Sequence, residues 1–310
     1  MPYWDEILGL VATTTDEDGI PDFDRVRRLF LKILSETTGR ATILYASAWV
    51  QKPTHADQSG ISDEDLHALM TVSSGLQTPN VDLILHSPGG AVYSAEAFGL
   101  YLRERFQHVR VFVPNLAMSA ATMIACLADE VFMGKHSFLG PTDPQIPVYT
   151  PSGWRIVAAL DVLEQARRAR YSTFDPVESA SWQAMLNQYG ADIVRRSERA
   201  VAFAEELTRH WLTNYLLRID PTAAPDVAQW LSNNEYWRDH GRHIARSTLC
   251  NRGVPIGSLE DDDVLQDLVL SVFHATTHTF AGTQVVKIVE NHLGRAYMKF
   301  ENQLAAPTSA

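Results

Sequence analysis

Two apolar patterns alternate along the first half of the chain: short unbroken runs, and longer stretches in which apolar residues return at helical spacing. Val26, Leu29, Phe30, Ile33 and Leu34 have that spacing between Asp22 and Ser35, with Asp22 or Asp24 placed to start a helix and Gly39 to end it. Ala41 to Ala46 then reads as a strand, and Gln51 to Gly60, which contains Pro53, as a polar loop. Ser62 and Asp65 give a capping-box-like start to a helix reaching about Met70. The alternation continues with strand Val81 to Leu85, helix Ala91 to Phe106, strand Val109 to Val113, the Ala-rich helix Ala120 to Ala128 and strand Val131 to Met133. Strands separated by amphipathic helices imply parallel pairing, so the fold class is α/β.

From Tyr149 to Trp154 the pattern breaks in a turn-rich segment, the best domain boundary in the chain. Beyond it, Arg155 to Arg170, Glu178 to Gln188 and Ala191 to Leu217 predict helices, with Pro221 and Pro225 as interruptions. Trp237 to Ile256 returns to mixed structure. Glu260 to Asp263 puts negative charge at the start of a helix predicted over Val264 to His274. A last helix is predicted from about Thr283 to His292, with Gly294 as its C′ residue, and Ala305 to Ala310 reads as a disordered tail.

Composition narrows the function classes. With 310 residues and 45% hydrophobic content the chain can bury a core without disulfides. Its net charge of −11 argues against a general nucleic-acid or anionic-membrane binder. The basic groups that cluster, Arg167, Arg168 and Arg170 and then Arg195 and Arg196, read as solvated helix faces. Only Cys126 and Cys250 are present, and Cys126 falls within an apolar helix, so a buried thiol and a reducing, cytoplasmic setting are expected. Met1 to Asp16 has neither a basic start nor an apolar core of a signal peptide, and no run of about 18 apolar residues occurs, so a soluble protein is expected.

Two segments carry candidate chemistry. Leu83-Ile-Leu-His-Ser-Pro-Gly-Gly90 runs a buried strand into a turn whose glycines let backbone N–H groups approach a ligand oxygen. Ala117-Met-Ser-Ala-Ala-Thr122 places Ser119 at the start of an apolar helix, among free amides. An oxyanion hole would use the N–H of Gly89 or Gly90 and that of Ala120. Each segment alone also reads as structure: SPGG as a turn, Ser119 as an N-cap and His86 as a packed histidine. A serine nucleophile further needs a base within reach and a group that orients the base.

The order of strand, SPGG, helix, strand, AMSAAT, helix, strand and then Gly140-Pro-Thr-Asp-Pro-Gln145 resembles the Clp protease/crotonase superfamily, most closely the serine dehydrogenase proteinases. The likeness runs from Val81 to Gln145, weaker at Trp237 to Ile256 and again at Thr279 to Gly294. It implies a stacked ββα spiral with additional C-terminal helices, serine endopeptidase activity on a peptide or protein, a homo-oligomeric habit and room for an activating partner protein. No cofactor or metal is expected; His274 and His278 have a zinc-like i, i+4 spacing but no third ligand or Glu-x-x-His pattern accompanies them.

Clp proteases order their triad Ser, His, Asp. The segment that resembles the histidine's position holds Thr142 and Asp143 here, and His240 lies where the acid would stand. If acid and base have exchanged places, the triad is Ser119, Asp143 and His240, an order that the serine dehydrogenase proteinase resemblance also implies. His243 and Asp239 compete with His240, while His136 or Lys135, the latter as a Ser–Lys dyad, would be a base nearer in sequence. Two other functions stay open: a crotonase-type acyl-coenzyme A enzyme, for which Glu96 is the one carboxylate near the turn and Ser119 is incidental, and a non-catalytic interaction module. The expected division is a core with the nucleophile over 1–150, a helical insertion for oligomerisation over 151–235, a return to the core with the histidine over 236–300, and a flexible tail over 301–310.

Overall fold

The computed structural model describes residues 4–150, 152–171, 176–190 and 192–301; the tail Ala305 to Ala310 lies outside them. Seven strands form the main sheet in the order β10-β5-β3-β2-β1-β11-β12. These are β1 Ala41–Ser47, β2 Asn80–His86, β3 His108–Val113, β5 Glu130–Met133, β10 Ile256–Ser258, β11 Val285–Asn291 and β12 Ala296–Phe300. β10, β5, β3, β2 and β1 pair in parallel, while β11 and β12 join antiparallel. Every residue of β1 is buried, which explains why that run is mostly apolar rather than alternating.

Both faces of the sheet are covered. Helices Phe23–Thr38 and Asp263–Gly282 lie on one face, where Leu31, Leu34, Val269 and Phe280 meet Leu44, Ile84, Phe112 and Ile288. The first of these starts where Asp22 accepts the Arg25 N–H at 2.9 Å and ends at Gly39, which takes φ 66° and donates to the Ser35 carbonyl. On the other face, Leu69, Phe98, Met123 and Trp211 pack onto Ile43, Leu83 and Val111 from helices Glu64–Ser73, Val92–Arg105, Ala120–Cys126 and Ile193–Trp211.

A second, three-stranded sheet has the order β4-β6-β9, formed by Leu116–Ala117, Phe138–Leu139 and Ile244–Ala245. The chain leaves β3 for β4 and β5 for β6, and Ser87, just past β2, bridges to Ala117. Each unit is thus a long strand followed by a short one that turns into a second layer, and helices follow β2 and β4, the Clp/crotonase-like ββα arrangement. A hairpin of β7 Gln145–Thr150 and β8 Gly153–Ala158 precedes helix Ala159–Tyr171.

Several expectations change. Residues 155–158 of the expected helix Arg155 to Arg170 belong to β8, because alternation buries Val148 while leaving Tyr149 and Trp154 outside. The loop Gln51 to Gly60 contains a 3₁₀ turn, Pro53–His55, and a helical turn, Ala56–Ser59. The helix expected over Val264 to His274 continues to Gly282. The last helix, Thr283 to His292, is instead strand β11, and Gly294 at φ 82° turns it into β12 rather than ending a helix. Lys287 and Glu290, charged residues within this strand, are both buried in ion pairs, Glu290 with Arg27 and Arg28 at 2.6 and 2.5 Å. β-Branched Val285, Val286, Ile288 and Val289 prevail once those charges are paired.

Candidate active site

The small sheet gathers the candidate residues at one edge. β4 runs parallel to β6 and β6 antiparallel to β9, so the end of β4, the end of β6 and the start of β9 lie side by side. Ser119 follows β4, Asp143 follows β6 and His240 precedes β9. Residues distant in sequence therefore issue from three adjacent strand ends.

Ser119 adopts φ 54° and ψ −121°, and among the described residues only Arg238 is another non-glycine residue with positive φ. A non-glycine residue pays about 1–3 kcal/mol for such a backbone, which persists only where the surroundings enforce it. They do: Met118 N–H donates to the Ser87 carbonyl, Ser87 N–H donates to Leu116, and helix Ala120–Cys126 behind is buried at every position. The Ser119 side chain caps no helix amide and makes no hydrogen bond to His240 or to any other described residue. Ser119 is therefore presented on a strained strand-to-helix turn with its hydroxyl free, rather than serving as an N-cap.

The SPGG turn lies directly against it. A Cβ on Gly89, which has φ 90°, would come within 2.7 Å of Ser119 Cβ and 2.9 Å of the Ala120 nitrogen. A Cβ on Gly90 would collide with the Ile61 backbone. Only glycine fits at both positions. Gly89 N–H donates to Ser87 Oγ at 3.2 Å, whereas the N–H groups of Gly90 and Ala120 have no protein acceptor among the described residues.

His240 Nδ1 hydrogen-bonds Asp143 Oδ1 at 2.8 Å. Asp143 is 2% exposed, and its second oxygen accepts the Gln145 amide at 2.8 Å. In the neutral ring that acceptor sets the tautomer, with the hydrogen on Nδ1 and the lone pair on Nε2. A cleft of about 480 Å³ opens on the pair, with Ile156, Gln165 and Tyr189 in its wall. Thr122 ties the helix after Ser119 to the loop that carries Asp143, its hydroxyl lying 2.8 Å from the Ala117 carbonyl and 2.9 Å from that of Gly140 while accepting the Gly140 N–H. Gln145 and Thr122 stood inside quoted motifs without a role; a polar side chain beside a candidate acid and one in an apolar helix were the available signals.

The competing groups lie elsewhere. His243 is exposed and stacks on Phe138, with ring centroids 5.0 Å apart. Asp239 accepts the Gly241 N–H in a local turn. Lys135 is exposed, and its backbone N–H donates to Glu260. His136 is half-buried against Gly134. His86 is wholly buried between Trp49 and Phe273, and burial pushes its imidazole down to about 4, so it is neutral packing. His274 and His278 pack on Trp4. Burial raises the Cys126 thiol to about 12, which removes it as a nucleophile.

Residues 61–169 match the family model of ClpP-like SDH-type serine proteinases, in agreement with the resemblance read from the motifs. That stretch includes Gly89, Gly90, Ser119, Ala120 and Asp143, and His240 lies beyond it. Two uncharacterized proteins of Methanocaldococcus jannaschii are similar, at 39% identity over 88 residues and 44% over 69 residues. The alignments cover 28% of this chain and 29% of the first relative, and 22% and 24% for the second. The chain thus spans less than a third of the length of either relative. No helix among the described residues is long and apolar enough to cross a membrane.

Proposed function

We propose that the chain is a Clp-like serine endopeptidase in which Ser119 attacks the scissile carbonyl, His240 is the base and Asp143 orients it. The observation that carries this reading is the backbone of Ser119 at φ 54°, pressed against Gly89 with its hydroxyl uncommitted. A serine held for capping or packing needs no such strain. His240 Nε2 takes the Ser119 proton as the Oγ–carbon bond forms, and Asp143 stabilises the imidazolium. The tetrahedral oxyanion is met by the N–H groups of Gly90 and Ala120, with Gly89 supporting the turn through Ser87. Collapse returns the proton to the leaving amine, and water then hydrolyses the acyl-enzyme by the same route.

The test is fluorophosphonate labelling of the full chain, with Ser119→Ala as control. Wild type should label on Ser119 and cleave peptides; Ser119→Ala should lose both by about 10⁴-fold or more while its melting temperature stays near that of wild type. A wild type that neither labels nor cleaves leaves the crotonase-type or non-catalytic readings. Self-association belongs to the same proposal, since Tyr149, Trp154 and Ile156 are 67%, 74% and 73% exposed on the β7–β8 hairpin in the 1–150/151–235 boundary region. Sedimentation at micromolar concentration should give a mass above that of the 34.6 kDa monomer, and a monomer alone contradicts it.

A further inference from the structure

Three polar side chains that touch no reacting atom, Tyr45, Asp65 and Lys287, are buried beneath the oxyanion turn and joined in one line. Lys287, in β11 and 1% exposed, donates from Nζ to both Asp65 oxygens at 2.8 Å and to the Gly60 carbonyl at 2.7 Å. Asp65, fully buried, also accepts the Tyr45 phenol at 2.9 Å and the Ser62 N–H at 2.8 Å. Ser87, also buried, accepts the Gly89 N–H on its Oγ.

Stability alone does not account for this arrangement. Withdrawing a lysine and an aspartate from water is costly even when they pair, and apolar residues of similar volume commonly serve a core as well or better. The Gly89–Gly90 turn is held from two sides, and the pair grips one of them. On one side Lys287 and Asp65 hold Gly60 and Ser62, and between them Ile61 donates to the Gly89 carbonyl at 2.7 Å and accepts the Ala91 N–H at 2.9 Å, bracketing Gly90. On the other side Ser87 takes the Gly89 N–H and bonds by its backbone to Leu116 and Met118, next to Ser119, while Tyr45 fixes the Asp65 carboxylate from beneath. In a water-free interior such a chain has one satisfied arrangement, and departures leave a polar group unpaired.

We propose that Tyr45, Asp65 and Lys287 form a buried positioning relay that fixes the Gly89–Gly90 turn against Ser119; its consequence for catalysis rests on the peptidase reading. The relay's residues position the turn and do not contact substrate. Tyr45→Phe in the full chain removes the phenol's hydrogen bond to Asp65 while keeping the ring. The maximal rate of fluorophosphonate labelling should fall about tenfold at an unchanged half-saturating probe concentration, short of the loss that follows removal of an oxyanion donor. Amide exchange at Gly89 and Gly90 should accelerate, while the amides of β2 and β3 keep their protection. Lys287→Met should move both readouts in the same direction. Unchanged exchange at Gly89 and Gly90 in Tyr45→Phe overturns the relay, as does wild-type labelling by that variant. If wild type itself does not label, the peptidase reading fails separately, and the exchange measurement alone decides the relay.

Discussion

Ser119 stands on a turn packed into the buried core, whereas His240 belongs to a surface loop slung between two buried anchors, Trp237 and Ile244. Around Ser119 the neighbours are buried: Ala117, Met118, Ala120 and Ala121 are at most 5% exposed, and the Gly89 backbone leaves no room for a methyl. Around His240, by contrast, Arg238, Asp239, Gly241, Arg242 and His243 are all exposed. On the proposed peptidase reading, a nucleophile and its oxyanion donors must share one geometry closely, and a rigid core supplies that. A base has to reach the serine and then the leaving group, and one strong hydrogen bond to a buried carboxylate directs it without freezing its loop. The link from Ser119 to His240 is open here, which fits catalytic hydrogen bonds that tighten only when substrate binds.

The contrast predicts different failures in the two halves. Asp143→Asn and His240→Ala should each cut peptide cleavage by about 10³- to 10⁴-fold. Thermal unfolding should barely move in His240→Ala, because the side chain is partly exposed and its loop is anchored elsewhere. Gly89→Ala attacks the other half, forcing a Cβ to within 2.5 Å of the Met118 carbonyl at φ 90°. It should lose activity and about 2 kcal/mol or more of stability together. Denaturant unfolding beside cleavage assays checks both, and a His240→Ala variant that unfolds like Gly89→Ala would erase the distinction between the halves.

Legibility followed the same division. Strands β1, β2, β3 and β5 are rich in apolar residues on both faces because both faces of their sheet are covered, and SPGG and AMSAAT carry small residues because backbones nearly touch there. Such constraints act within a few residues and leave a local trace. Strand β11 did not, since Lys287 and Glu290 are tolerable only through Asp65, Arg27 and Arg28, more than 200 residues away. The Asp143–His240 contact spans 97 residues and depends on β6 pairing with β9, strands of two residues each with no periodicity to read. Family resemblance supplied that pair, and it also left Lys135, His136 and His243 as rivals.

Those rivals provide the smallest and most discriminating effect. His243→Ala removes a ring stacked on Phe138 at the surface, and Lys135→Ala an exposed side chain whose position is set by its backbone N–H on Glu260. Exposed substitutions of this kind stay within about 0.5 kcal/mol of wild type in stability. Neither group touches the Asp143 carboxylate, whose two oxygens are taken by His240 and Gln145, so neither is oriented as a base must be. Cleavage rates of both variants should lie within about threefold of wild type, a barrier change of under about 1 kcal/mol. His136→Ala tests the remaining rival: its half-buried ring packs on Gly134, so stability should drop a little while cleavage persists. If Lys135→Ala is the inactive variant and His240→Ala cleaves normally, the site is a Ser–Lys dyad. The hydrogen bond between His240 and Asp143 would then be a surface-loop anchor, and the frozen and the pendent halves would not belong to one reaction.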